Sequence, residues 1–229
     1  MIQVENLTLQ AGSFRLENVN FEIPRGKYAV LMGRTGCGKT TLLEGLCGLK
    51  SVVSGRILID GADVTDAKPG MRDIGFVPQE AALFPSLNVR EQLGFALEIR
   101  KWSARERDER VKELAEVLGL SHLLDRGIKG LSGGEQQRIA LGRALAFHPS
   151  VLCLDEPLSA LDEQTRLEMY SVLQTVKQHF HTTTLHITHS MEEAVHLADL
   201  LFRLEEGTLQ PQEVTREGTD RPSAPPEAG

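Results

Sequence analysis

Alternating and continuous hydrophobic stretches divide the chain into predicted strands and helices. Residues 2–9 alternate between apolar and polar side chains and predict a strand, and a second strand at 15–23 ends at a Pro-Arg-Gly turn signal. Short apolar runs predict five more strands, at 28–32, 55–60, 74–77, 151–154 and 184–188. Helical spacing predicts helices after residue 39, at 135–147 and at 163–180. The alternation of strands with helices predicts an α/β fold with a largely parallel sheet that helices cover.

A charged helical segment interrupts this pattern between residues 89 and 124. It contains a charge run at 105–110, and Val111, Leu114 and Leu118 follow at helical spacing. We therefore predict a helical subdomain inserted into an α/β core, while the charge run itself is typical of a solvated helix face. Residues from about 210 to 229 carry four prolines and few apolar groups, a composition typical of disorder.

Composition and charge limit the classes of function. With 229 residues, 41% hydrophobic and 25% charged, the chain is large enough for a substantial globular core. Its net charge of -7 disfavours nucleic acid as a partner. Cys37, Cys47 and Cys153 lack metal-site spacing and indicate reduced thiols of a cytosolic protein. We expect neither a secretion signal nor a run of about 20 apolar residues that spans a membrane, so any membrane role is expected to depend on docking.

A phosphate-binding loop is predicted at the end of the third strand, in the run Gly33-Arg34-Thr35-Gly36-Cys37-Gly38-Lys39-Thr40. Its three glycines allow a tight backbone whose N–H groups can point at the β- and γ-phosphates of a nucleotide. Lys39 adds a positive charge, Thr40 can ligate Mg²⁺, and Thr41 is expected beside the α-phosphate at the start of a helix. Because a strand precedes the loop and a helix follows it, an incidental glycine loop is disfavoured.

Two carboxylates, Asp155 and Glu156, follow the apolar strand at 151–154. An acidic pair at the end of a buried strand is costly unless a positive charge meets it, and Mg²⁺ bound with ATP would supply that charge. Asp155 is then predicted to hold the metal and Glu156 to deprotonate the attacking water. The alternative is a pair of surface carboxylates, which the phosphate-binding loop makes less favoured.

The stretch Leu131-Ser132-Gly133-Gly134-Glu135-Gln136-Gln137-Arg138 resembles the signature motif of ATP-binding-cassette (ABC) ATPases. Other family motifs match in the family's order: Gln79 as the Q-loop glutamine, Ser159-Ala160-Leu161-Asp162 as the D-loop and His189 as the switch histidine. The resemblance covers about residues 1–208, with 1–88 and 131–208 as catalytic core, 89–130 as helical subdomain and 209–229 as a disordered tail. It implies a P-loop NTPase (RecA-like) core with a mainly parallel sheet, an N-terminal antiparallel β subdomain and the inserted helical subdomain.

The resemblance also implies roles for residues outside the loop. Ser132, Gly133 and Gly134 would bind the γ-phosphate of an ATP held by the opposite subunit, so that two copies, or this chain and a paired cassette, close on two shared nucleotides. Gln79 would contact Mg²⁺ and the attacking water, His189 would bond the γ-phosphate, and Asp162 would bridge the dimer seam. Without the family context, a lone glutamine is usually solvated and a histidine at a strand end is usually structural. His186, three residues before His189, is not predicted to form a metal site with it.

The chain departs from the family pattern at the adenine. The family usually places an aromatic residue just after the first strand, and residues 9–13 contain none, so Phe14 is the nearest candidate. Loss of stacking would cost about 1 kcal/mol and weaken base selectivity. Arg34-Thr35 also stands where Pro-Ser is common in the family.

Residues 82–93 resemble the stretch that follows the Q-loop in importer ATPases for small solutes. This implies docking of an integral membrane permease subunit against Phe84 and Leu87, an extracytoplasmic solute-binding protein in the assembled system, and a peripheral position on the cytoplasmic face of the cell (inner) membrane. Residues 38–44 and 73–79 favour molybdate, tungstate or sulfate systems by similarity. An exporter cassette, a non-transport ABC ATPase and a nucleotide-binding module without turnover remain alternatives, although Glu156 argues against the last.

Overall fold

The computed structural model describes residues 1–205 and 207–213. The strands in this part of the chain are β1 Ile2–Ala11, β2 Phe14–Ile23, β3 Tyr28–Gly33, β4 Val52–Ile59, β5 Ala62–Asp63, β6 Ile74–Val77, β7 Val151–Asp155, β8 Thr183–Ile187, β9 Leu200–Glu205 and β10 Thr208–Gln212. The helices are α1 Lys39–Cys47, α2 Val89–Ile99, α3 Ala104–Val117, α4 Gly133–Leu145, α5 Glu163–Phe180 and α6 Met191–Leu197, with short 3-10 turns at Pro69–Met71 and Ser121–Leu123.

Two sheets build the molecule. The first has four antiparallel strands in the order β2-β1-β4-β5. The second has six strands in the order β10-β9-β3-β8-β7-β6, and all its pairs are parallel except β9 with β10. Strands β7 and β8 are buried along their whole length. For β7 this burial agrees with its apolar run from Val151 to Leu154, whereas β8 also buries the polar residues Thr183, Thr184 and His186.

Helix α1 lies between the two sheets. Its apolar residues Leu42, Leu43 and Leu46 are almost fully buried in a cluster with the inner faces of both sheets. A second cluster joins the other face of the parallel sheet to α4, α5 and the helical subdomain. The phosphate-binding loop before α1 is thus fixed by packing on both sides.

Helices α2 and α3 form the inserted helical subdomain. Each begins with a capping box, Asn88 with Glu91 and Ser103 with Glu106, in which side chain and backbone bond reciprocally. The buried guanidinium of Arg110 on α3 donates to the carbonyls of Leu145 and Ala146 at the end of α4, at 2.7 and 3.0 Å. No helix within the described ranges is both long and apolar enough to cross a membrane.

The structure differs from the sequence prediction near the carboxyl end of the described part. Helix α6 and strands β9 and β10 were not predicted, and β10 covers residues 208–212, of which 209–212 were assigned to the disordered tail. The strand forms because β9, seated on β3, offers its outer edge as a partner. Pro211 is tolerated there because β10 is an edge strand. The rest of the predicted tail, residues 214–229, lies outside the described residues.

Candidate nucleotide-binding and catalytic site

The phosphate-binding loop curls around the ammonium of its own lysine. Gly36 and Gly38 have φ of 80° and 103°, backbone conformations that favour glycine. A Cβ at Gly38 would also lie 2.8 Å from the Phe14 ring. Lys39 is 6% exposed, and its Nζ donates to the carbonyls of Gly33 at 2.9 Å and Arg34 at 3.0 Å. The positive charge is therefore held inside the loop, with a third N–H left for an anion.

A hydroxyl and a carboxylate meet beside this loop. The Thr40 Oγ1 donates to Oδ1 of Asp155 at 3.3 Å. Burial raises the pKa of Asp155, nearby Glu156 and Glu44 act in the same direction, and the Thr40 hydrogen bond and Lys39 act against them. A divalent cation would offset this cost, and hydroxyl and carboxylate oxygens are ligands that Mg²⁺ takes. The residues present therefore fit a magnesium ion.

Glu156 has a strained backbone. Its φ is +44°, which is uncommon for a residue other than glycine, and its N–H donates to the Ile187 carbonyl at 2.9 Å. The carboxylate Oε2 lies 3.3 Å from Nδ1 of His189, whose side chain is 67% exposed. Strain of this kind is common at functional sites, and here it places the carboxylate next to the histidine.

An open cleft of about 530 Å³ joins these groups, within the usual size of a small-ligand site. Its lining consists of Ala11, Phe14, Thr35, Gly36, Gly38, Lys39, Thr40, Thr41, Gln79, Glu156 and His189. The structure thus brings together most of the site residues predicted from one chain, including Phe14. Three residues of the loop, Gly33, Arg34 and Cys37, do not line this cleft. Arg34 and Cys37 instead line a separate pocket with Leu204 and Thr208.

The signature residues do not line this cleft. Ser132 is exposed and caps α4, where its Oγ accepts from the Glu135 N–H at 3.2 Å and its own N–H donates to Oε2 of Glu135 at 2.7 Å. The Ser132 backbone bond is the main cause that lowers the pKa of Glu135. Gly133 is exposed, whereas a Cβ at Gly134 would lie 2.5 Å from Cγ2 of Thr165. Gly134 therefore has a packing reason of its own, the close approach of α4 to α5.

Asp162 is the N-cap of α5. Its carboxylate accepts from the backbone N–H of Thr165 at 3.0 Å and from the Thr165 hydroxyl at 2.7 Å. The backbone hydrogen bond is the first cause of the lowered pKa of Asp162, followed by the hydroxyl. Within one chain this carboxylate thus has a structural partner.

Sequence reasoning missed two residues that hold the segment after Gln79. Gln92 on α2 is fully buried, with its Nε2 donating to the Phe84 carbonyl at 2.7 Å and its Oε1 accepting from the Phe84 N–H at 3.3 Å. Arg143 on α4 donates to Oε1 of Gln92 at 3.4 Å and to the Ala81 carbonyl at 3.3 Å. Each is a polar residue within the apolar stripe of its helix, a signal that could have identified them. Together they tie the segment to the signature helix α4.

The strand order, the phosphate-binding loop and the buried carboxylate beside it define a P-loop nucleotide-binding protein. A protein-family model described as ABC transporter matches residues 16–159, and the chain belongs to that family. The family and the fold class predicted from the sequence, a P-loop core with an N-terminal antiparallel sheet and a mainly parallel sheet, are thereby confirmed.

Curated relatives include import ATPases. The chain is 41% identical over 224 residues to the molybdate/tungstate import ATP-binding protein WtpC of Thermococcus kodakarensis, covering 98% of this chain and 68% of the relative. WtpC of Methanocaldococcus jannaschii is 46% identical over 194 residues, 85% of this chain and 64% of that protein. The sulfate/thiosulfate import protein CysA of Acinetobacter baylyi is 41% identical over 229 residues, with 98% and 65% covered. The chain thus spans about two thirds of the length of these relatives.

Solved structures of ABC cassettes share the fold. A dimeric structure of the ATP-binding cassette MJ0796 in a post-hydrolysis state, bound to ADP and Pi, has a TM-score of 0.80 with 28% sequence identity. The match covers 94% of this chain and 99% of that cassette. The architecture is therefore that of an ABC ATPase.

Proposed function

We propose that this chain is the nucleotide-binding subunit of an ABC importer, which hydrolyses ATP at an interface between two copies. The observation that carries the proposal is the meeting of Thr40, Asp155, Glu156 and His189 at the cleft beside the phosphate-binding loop. A binding module without turnover would need no strained carboxylate at this place.

The chain's own residues divide the work. The loop N–H groups and Lys39 bind the phosphates, and Thr40, Asp155 and Gln79 would hold Mg²⁺. When bound, Mg²⁺ would offset the negative charge of the phosphate oxygens. Glu156 accepts a proton from the attacking water, while His189 donates a hydrogen bond to the γ-phosphate as charge develops there. Phe14, which lines the cleft, would contact the base.

Two copies complete each other's site in this proposal. Ser132 and Gly133 are exposed at the start of α4 and do not line the cleft of their own chain. A helix start offers backbone N–H groups and a positive dipole end to an anion. The γ-phosphate bound by one copy would therefore meet the signature residues of the other, with Asp162 at the seam. The dimeric MJ0796 structures support the pairing of two cassettes.

The transported solute is proposed to be an oxyanion, molybdate or tungstate first and sulfate second. The support is the printed names of the relatives. The importer would include permease subunits that dock beside Phe84, which is 37% exposed, and Leu87, together with an extracytoplasmic solute-binding protein. The chain would then lie on the cytoplasmic face of the membrane. The solute is tested by measuring uptake of labelled molybdate, tungstate and sulfate in cells with and without the chain. If uptake of each of the three is the same in both kinds of cell, the proposed solute is wrong.

The catalytic assignment is tested with Glu156→Gln. We expect turnover to fall by about 100-fold or more, because the base is lost, while ATP holds the variant as a dimer in light scattering. Glu168→Gln is the matched control, since Glu168 is an exposed carboxylate on α5, and it should hydrolyse ATP like the parent. If Glu156→Gln turns over like the parent and stays monomeric with ATP, the proposed base and the shared site are wrong.

A further inference from the structure

Three buried polar side chains form a connected set beneath His189, and the proposed mechanism uses none of them. This buried triad consists of Tyr28 on β3, His186 on β8 and Glu193 on α6. His186 is fully buried, its Nδ1 lies 2.8 Å from the Tyr28 hydroxyl, and its Nε2 lies 3.2 Å from Oε2 of Glu193. The His186 Nε2 and Glu193 Oε2 atoms have no well-aligned hydrogen-bond partner among the described residues, so they are each other's polar contact.

The surroundings assign the protons of the triad. Burial, reinforced by Glu193, raises the pKa of Tyr28 well above its usual value, so its hydroxyl stays protonated and can donate to Nδ1 of His186 when that nitrogen carries no proton. Burial alone would raise the pKa of Glu193, but His186 and Thr188 outweigh it and hold that pKa below its usual value. The carboxylate is therefore ionised, and His186 directs its Nε2 proton towards it.

The triad reaches both chain neighbours of His189. The Ser190 Oγ accepts from the backbone N–H of Glu193 at 3.4 Å, and the Thr188 hydroxyl accepts from the Ser190 N–H at 3.0 Å. Thr188 also helps to lower the pKa of Glu193. The Thr188 N–H donates to the Leu31 carbonyl at 3.2 Å, on β3, the strand that leads into the phosphate-binding loop. The residues before and after His189 are thus anchored, although the His189 ring itself is 67% exposed.

Stability alone is a weak reason for such a set. Replacing a buried ionic or polar group by apolar residues of similar volume is often neutral or stabilising, whereas polar groups with fixed partners hold one geometry. The geometry held here is the place of His189 in the cleft lining, with its Nδ1 3.3 Å from Oε2 of Glu156. The triad also connects this loop directly to β3, the strand that ends in the phosphate-binding loop.

We propose that Tyr28, His186 and Glu193 are positioning residues that set the place of His189 over the nucleotide cleft. The inference rests on the proposed function, because it assigns His189 to the γ-phosphate. None of the three residues lines the nucleotide cleft, and the triad acts through the backbone on either side of His189.

A double-mutant cycle with the full chain tests this. We expect His186→Leu to lower kcat by about 10- to 100-fold, as small displacements of a catalytic group do, with the Kd for ATP unchanged within about 2-fold. Tyr28→Phe, which removes one hydroxyl, should lower kcat less and covers the case in which His186→Leu does not fold. In a His189→Ala background, neither change should lower kcat further by more than about 2-fold.

Arg110→Met is the matched control, because Arg110 is equally buried at 3% exposure but bonds the end of α4. Its effect on kcat should be the same with and without His189. If the triad variants lower kcat by the same factor in the His189→Ala background as in the parent, they act on the fold as a whole and the proposal is refuted.

Amide hydrogen exchange gives a readout that needs no turnover. In the nucleotide-free protein, Tyr28→Phe and His186→Leu should accelerate exchange over residues 188–193 by about 10-fold, because the Ser190 N–H loses its fixed acceptor. Arg110→Met should leave this segment unchanged. Unchanged exchange in the triad variants would overturn the positioning role. Absence of ATP hydrolysis in the parent would instead overturn the proposed function, and the exchange result would still decide the role of the triad.

Discussion

Gln92→Met tests whether the segment after Gln79 is held by the helical subdomain. Methionine has nearly the volume of glutamine, so the change removes three hydrogen bonds without opening a cavity. Two bonds join the Gln92 amide to the Phe84 backbone at 2.7 and 3.3 Å, and the third, from Arg143, is long at 3.4 Å. At about 1 kcal/mol for each of the first two and less for the third, we expect the free energy of unfolding to fall by about 2–3 kcal/mol.

Urea and thermal unfolding followed by circular dichroism measure this loss. For a domain of this size the Tm should fall by about 4–12 °C. Trp102, which stacks on His148 at 5.9 Å, reports on the helical subdomain by fluorescence. Gln136→Met is the matched control, because the Gln136 amide donates one hydrogen bond, to the Leu131 carbonyl, and should cost about 1 kcal/mol or less. A loss in Gln92→Met no larger than in this control would refute the reasoning.

Two further predictions concern the base and the pH. Phe14→Ala should weaken ATP binding about 5-fold and Ala11→Tyr should strengthen it by a similar factor, since an aromatic contact contributes about 1 kcal/mol. Calorimetry with ATP and GTP measures the affinities of the parent and the two variants. Equal affinities in these three proteins would contradict the Phe14 assignment. Burial, followed by Arg110, lowers the pKa of His148 from 6.5, so the folded state favours the neutral ring. The neutral His148 ring therefore stabilises the fold above pH 6.5, and this contribution is lost as pH falls and the ring is protonated. His148→Gln should thus reduce the change in the urea midpoint between about pH 7 and 5. A midpoint that changes with pH as steeply as in the parent would contradict this prediction.

The sequence predicts the central strands and the phosphate-binding loop well, because their signals are local. A buried parallel strand such as Val151–Asp155 begins with a continuous apolar run, and α5 spans Glu163–Phe180 as predicted. Strand β10 was missed because it has little apolar content and pairs with β9, whereas β9 carries the apolar run Leu200-Leu201-Phe202 and could have been predicted. The pairing of β9 with β3, by contrast, joins residues far apart in the chain, which periodicity does not report.

The contacts beneath the site could not be predicted for the same reason. His186 was noted only as a neighbour of His189, since nothing in the local sequence shows that Tyr28, 158 residues away, meets its ring. Likewise, Gln92 is a buried polar residue whose partner Arg143 lies 51 residues further on. The residues that would touch the nucleotide belong to sequence motifs and can be predicted from them. The residues that hold them in place are identified by their contacts in the folded structure.

The start of α4 shows how one local structure can serve both the fold and the proposed dimer. A helix leaves its first backbone N–H groups without intrahelical acceptors, and here Ser132 accepts the one at Glu135. The N–H groups of Gly133 and Gly134 are the remaining donors of that first turn, on a helix of 13 residues whose dipole makes them attractive to an anion. Because Ser132 does not line the cleft of its own chain, an anion bound at the start of α4 would not be the nucleotide held in that cleft. The cap that begins the helix in one copy would thus become a phosphate ligand for the other when ATP brings the two together.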